Sequence, residues 1–78
     1  MVIKDFSSSD IFYLLHSGFL VCTFSDSCFL GFDELKQLYF LYNSSNGEKS
    51  YFDSLFTFTD LFNMYIGFPF DSVDVIRF

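Results

Sequence analysis

One helix-start signature recurs three times in this chain and divides it into short helices separated by runs of strand formers. Ser9-Asp10-Ile11-Phe12-Tyr13-Leu14-Leu15, Asp33-Glu34-Leu35-Lys36-Gln37-Leu38-Tyr39 and Thr59-Asp60-Leu61-Phe62-Asn63-Met64-Tyr65 share it. Each opens on a side chain whose oxygen can accept from the unpaired N–H groups of a first helical turn. Each then sets an acid where the helix dipole favours negative charge. Apolar residues follow at the spacing of one helical face. Gly18 and Gly67 stand at the far ends of the first and third copies, where a left-handed glycine stops a helix. The pattern predicts helices over 9–17, 33–42 and 59–66.

The intervening segments read as strands. Phe19-Leu20-Val21-Cys22-Thr23-Phe24 is rich in strand formers, and Cys28-Phe29-Leu30 returns after the turn signal Ser25-Asp26-Ser27. Ser44-Ser45-Asn46-Gly47 is a loop whose Asn-Gly pair suits a tight turn. Residues 51–58 end in alternation, and 73–78 alternate apolar with charged residues up to Ile76, which suggests a half-buried edge strand. Pro69 blocks helix continuation past Gly67. Two stretches have second readings. Residues 38–42 also fit a strand paired with 51–58 across the Asn-Gly loop, and Ser50 with Asp53 also fits a cap for a helix running into the third one. The expected fold is α+β: one small domain over 1–78, with three or four mostly antiparallel strands and two or three short helices.

A chain of this size buries little. Surface scaling gives about 4,900 Å² folded, so ~63% of the unfolded surface is hidden, and such a core rarely supplies more than ~3–5 kcal/mol. This chain compensates with large rings: it has 14 Phe and 5 Tyr, and no Trp or Ala. A buried Phe removes ~150–250 Å² from water. These rings either fill the core alone or also reach the surface, where clustered aromatics form interface patches.

The net charge is −6, from 10 acids against 4 Lys and Arg. That argues against direct nucleic-acid binding, which needs cations on phosphates, and against an anionic membrane surface. It suits a basic protein partner, although a small domain also needs such a charge for solubility. No stretch reaches the ~18 apolar residues of a membrane span. Residues 11–24 resemble a signal-peptide core, but Asp5 and Asp10 replace the expected positive lead-in. A cytoplasmic protein with reduced Cys22 and Cys28 is therefore expected. Abundant Phe, Tyr and Ser with no Ala and single Pro and Arg residues fit an AT-rich coding sequence, a bias common among small phage and mobile-element genes.

Candidate chemistry is sparse. The single histidine, His16, has no acid at helical spacing and reads as a residue near a helix C-terminus, where its charged form is favoured. His16, Cys22 and Cys28 are evenly spaced but lack the short Cys–Cys knuckle of a zinc site, and the fourth ligand would have to be Asp26. A disulfide needs the 25–27 turn to bring the cysteines together and an oxidising compartment. Asp33-Glu34 and Asp71 with Asp74 are the close carboxylate pairs, and they read as a helix start and a turn. No phosphate loop or EF-hand pattern occurs. No catalytic residue, metal or cofactor is expected.

Surface recognition remains. Acids at the expected helix starts, Asp10, Asp33, Glu34 and Asp60, would project together if those ends share one side of the sheet, with Tyr39, Tyr42, Tyr51 or Tyr65 as anchors. Charge would steer such a face onto a basic groove. The expectation is a non-enzymatic inhibitor, phage- or mobile-element-encoded and of the anti-CRISPR or anti-restriction type, docking on a basic nucleic-acid-handling host protein in the host cytoplasm. The alternative is an assembly protein that forms homo-oligomers, a homodimer at the simplest, through exposed rings.

Overall fold

Two of the three signatures are helix starts, and the capping-box spacing shows where each begins. The computed structural model describes residues 1–22, 27–66 and 72–78. Helix α1 is Ser8–His16 and α2 is Phe58–Tyr65. Their caps are Ser7 and Thr57, two residues before the Ser9 and Thr59 of the sequence reading. A cap hydroxyl and an acid three residues on satisfy each other's backbone N–H. The Ser7 hydroxyl accepts from Asp10 N–H at 3.3 Å, and the Asp10 carboxylate accepts from Ser7 N–H at 3.0 Å. Thr57 and Asp60 repeat this at 3.3 and 3.1 Å. Gly18 ends α1 with φ +91°, while Gly67, Pro69 and most of the 25–27 turn lie outside the described residues.

The helix expected over 33–42 does not form. Asp33 closes strand β3 (Cys28–Asp33), and its Oδ1 accepts from Leu35 and Lys36 N–H at 3.0 and 3.1 Å. Gln37 turns left-handed at φ 57° and the chain returns as β4 (Leu38–Asn43). The carboxylate does what an N-cap does, but it closes a hairpin turn. Beyond it, Leu38-Tyr39-Phe40-Leu41-Tyr42 carries aromatic strand formers in register with β3.

The remaining strands are β1 (Val2–Lys4), β2 (Phe19–Cys22), β5 (Glu48–Tyr51) and β6 (Ser72–Arg77). The fold is a mixed helix-and-sheet domain as expected, but with six antiparallel-paired strands in place of three or four, in the order β1-β6-β2-β3-β4-β5. Two additions account for the count, and a third difference moves a strand without adding one. Residues 2–4 pair with 72–74, the 33–42 helix is a strand, and the strand expected over 51–58 ends at Tyr51. Residues 53–56 form a turn closed by Phe56 N–H on the Asp53 carbonyl. Strand β6 is not at an edge but lies between β1 and β2. Because β6 is antiparallel to both, β1 and β2 point the same way and α1 crosses over between them. By the same count β5 and β6 are parallel, and α2 connects them.

Both helices cover one face. Ile11 and Leu15 of α1, Leu61 of α2 and Ile66 pack with Val21, Leu30, Tyr39, Val73 and Val75 in the main core. Alternation along each strand puts Leu20, Cys22, Phe29 and Phe40 on the other face, where Tyr42 and Ile76 cover them. Gly31 lies between the two. A Cβ there would fall 2.5 Å from Leu20 Cδ2 and 2.6 Å from Phe40 Cζ, so the bare backbone lets these side chains meet across the strand. The accessible surface of 4968 Å² is close to the ~4,900 Å² expected for this mass.

Candidate docking surface

The four cations stand at positions 4, 36, 49 and 77, and the fold turns that spacing into a charge division. Residues 5–16 and 52–66, which form α1, α2 and their lead-ins, contain Asp5, Asp10, Asp53 and Asp60 and no Lys or Arg. The helix layer is therefore acidic throughout. Lys36 and Lys49 lie on the opposite, helix-free face. The Lys49 ammonium sits 4.9 Å from the Phe40 ring centroid and 4.3 Å from that of Phe78, and the Lys36 ammonium 4.2 Å from that of Tyr51. Lys4 joins them by alternation, because its neighbour Ile3 packs on the helix-side core. Arg77 is the exception: it lies on the helix side of the sheet, 5.4 Å from the ring centroid of Phe19, its directly paired neighbour in the helix-side core.

Between the helices runs an open groove of about 520 Å³, lined by Ser8, Ser9 and Phe12 of α1 and Phe58, Thr59, Phe62 and Asn63 of α2. Phe12 meets Phe58 edge-on at 5.0 Å, and Phe6 meets Phe62 at 6.4 Å. The crossed order of these contacts shows that the helices run antiparallel. Rings supply the apolar surface of the groove, hydroxyls and an amide supply the rest, and the first-turn acids Asp10 and Asp60 follow Ser9 and Thr59 in the chain. Apolar surface continues outward: Tyr13 is 70% exposed, Met64 60%, Phe12 43% and Leu55 84%.

His16 fixes Phe12 from behind. Its ring stacks on Phe12 at 4.2 Å and on Phe32 at 4.0 Å, and Nε2 lies 2.8 Å from the Tyr39 hydroxyl. Desolvation lowers the His16 pKa, opposed by the nearby Glu34 carboxylate. This runs against the expectation that a helix C-terminus would favour the charged ring: desolvation, between the flanking rings of Phe12 and Phe32, disfavours it.

The expected acid and tyrosine set is divided among several places. Asp10 and Asp60 lie in the helix layer, folded onto their own caps at offset positions along an antiparallel pair. Asp33 is at a hairpin turn, where Oδ2 accepts from the Tyr51 hydroxyl at 2.9 Å. Its carboxyl is held below the usual range, first by the Lys36 N–H and then by Tyr51, whose own pKa the bond raises. Glu34 is in the same turn, beside His16. Tyr39 is buried in the core, with its hydroxyl pKa raised by desolvation. Tyr42 packs on Phe78 at 5.5 Å on the helix-free face, and Tyr65 on Phe52 at 5.7 Å. The groove residues Ser8, Phe12, Phe58, Phe62 and Asn63 were not among the expected anchors. They lie in the two segments without bases, 5–16 and 52–66, but nothing in the sequence singles them out.

Cys22 and Cys28 are thiols, not a disulfide, and desolvation raises the pKa of Cys28. Among the described residues no group of three or more His, Cys, Asp or Glu could hold a metal, and no helix is long and apolar enough to cross a membrane. Asp26 and Asp71 lie outside the described residues. Comparison of the chain with protein-family models, with curated proteins and with solved structures gave no match.

Proposed function

We propose that this chain is a non-enzymatic protein-binding module that docks its acidic, ring-lined helix layer on a basic protein surface. The observation that carries this reading is the groove of Phe12, Phe58 and Phe62 set in a layer that holds four acids and no Lys or Arg. Apolar anchors give an interface its affinity, and a surrounding field of one sign gives it steering and partner choice. The basic surface such a field meets most readily is the nucleic-acid path of a nucleic-acid-handling protein. The module is then an inhibitor that excludes the nucleic acid, of the anti-CRISPR or anti-restriction type that the AT-rich composition suggests.

The test is affinity capture on the immobilised protein, with Asn63→Lys/Met64→Lys as control. Both positions are exposed and lie near the C-terminus of α2, where added cations suit the helix dipole. The expected partner is basic, leaves as salt rises, is displaced by added nucleic acid and is not retained by the variant. A salt-insensitive or acidic partner, or equal retention by the variant, would overturn the reading.

A further inference from the structure

The helix-free face is the counterpart of the helix layer. Lys4, Lys36 and Lys49 stand there against Asp33 and Asp74, whose positions follow from strand alternation. Among the described residues it carries three lysines against two aspartates. It also presents apolar surface: Phe78 and Val2 are each 60% exposed and Tyr51 37%. One molecule thus carries an acidic groove with exposed rings on one side and lysine-capped rings on the other.

We infer that a second copy of this chain is one partner of the helix layer, joined head to tail, with the helix layer of one copy on the helix-free sheet face of the next. This rests on the same reading of the helix layer as a docking surface. Charge selects the arrangement. A two-fold dimer through the helix layers sets four acids against four, and like-charge juxtaposition is disfavoured. Docking the helix layer on the helix-free face instead sets those acids against lysines. The area is sufficient, because the molecule measures 30 × 26 × 20 Å and a broad side of that size matches the ~800 Å² per partner of a standard specific interface. A head-to-tail contact uses different surfaces on the two copies, so each added copy leaves one face of each kind open. The product is an open chain, or a ring if the rotation closes.

Analytical ultracentrifugation of the full chain tests this with two variants. Asn63→Lys/Met64→Lys spoils the helix layer, and Lys36→Glu/Lys49→Glu spoils the sheet face. All four positions are exposed, and circular dichroism verifies each fold. Wild type is expected to pass beyond dimer as concentration rises in about 0.01 M salt. It should dissociate toward 1 M, as the screening length falls from roughly 30 to 3 Å. Each variant alone should associate at least about tenfold more weakly (a cost of roughly 1.4 kcal/mol). An equimolar mixture, which retains one intact face of each kind, should stop at dimers. A monomeric wild type at millimolar concentration overturns the inference, as does a dimer that grows no further or a mixture that stays monomeric. Should a variant fail to fold, the growth and salt response of wild type still decide. The two readings fail separately. A monomer that captures a basic protein sinks only this one, and a self-assembling chain that captures nothing sinks only the broader one.

Discussion

Gly31→Ala tests whether the two faces of the sheet are built as described. The added Cβ would lie 2.5 Å from Leu20 Cδ2 and 2.6 and 2.9 Å from Phe40 Cζ and Cε2. Carbon pairs are most stable at about 3.5–4.0 Å, so two side chains must retreat by roughly 1 Å. Both are only 2% exposed, and Phe40 is hemmed in by Tyr51 and Phe78, each at 5.7 Å. Overpacking of this kind costs ~1–3 kcal/mol. Replacing a strand glycine returns roughly 0.5–1 kcal/mol of backbone entropy. The expected net loss is about 1–2 kcal/mol, a fall in Tm of roughly 4–16 °C for a domain this small. Urea or thermal unfolding followed by circular dichroism measures it. The mechanism predicts more than a sign. Leu20→Val removes the nearest offending atom, so the double variant should be less destabilised than the sum of the singles by ~0.5 kcal/mol or more. A neutral or stabilising Gly31→Ala, or strict additivity with Leu20→Val, would refute the packing argument.

Ser7→Ala and Thr57→Ala should each cost about 0.5–2 kcal/mol through loss of a cap, whereas Ser9→Ala should cost under ~0.5 kcal/mol. Equal losses at Ser7 and Ser9 in urea unfolding would show that α1 is capped elsewhere. The lowered pKa of His16 means that the unfolded chain takes up the proton first. Stability therefore falls as pH drops from the ordinary 6.5 toward the folded value, and is unaffected by this group above it. His16→Gln should flatten that part of the stability profile. A profile equally steep in the variant would assign the loss to other groups. Asp33 acts in a separate window, because a lowered carboxyl pKa adds stability that disappears only as pH falls below about 4.

The helices were legible because their signals are local. Ser7-x-x-Asp10 and Thr57-x-x-Asp60 contain both halves of a capping box, and only the choice among neighbouring hydroxyls moved the cap by two residues and the helix start by one. The third signature was misread for the same reason. Asp33 caps backbone N–H groups in a hairpin turn as it would in a helix, and what separates the outcomes is the pairing of 38–43 with 28–33, a non-local fact. The short β1 was invisible, because three residues become a strand only when β6 arrives beside them. Of the four expected acids, Asp10 and Asp60 lie in the helix layer and Asp33 and Glu34 do not, and none of the expected tyrosines lines the groove. Which rings line the groove depends on how two short helices cross, and sequence spacing does not determine that.

Lys49 raises a question that composition leaves open, since lysines beside exposed rings have two uses. Long aliphatic stems shield apolar surface while the ammonium stays in water, and charged side chains on a sheet are a recognised guard against unwanted association. On that account Lys49, poised over Phe40 and Phe78, keeps the helix-free face from sticking. On the head-to-tail account it helps bind the helix layer of the next copy. Lys49→Ala separates the two because the accounts predict opposite signs. If the lysine is a guard, removing it exposes more of both rings, and association grows and persists at high salt, as apolar contact does. If it is a binding group, association weakens by about fivefold or less, the ~0–1 kcal/mol typical of one exposed charge pair, and what remains is still dissociated by salt. Sedimentation of Lys49→Ala beside wild type at about 0.01 and 1 M salt reads the sign directly. Stronger, salt-resistant association would leave the helix layer as a docking surface and remove the sheet face from the assembly.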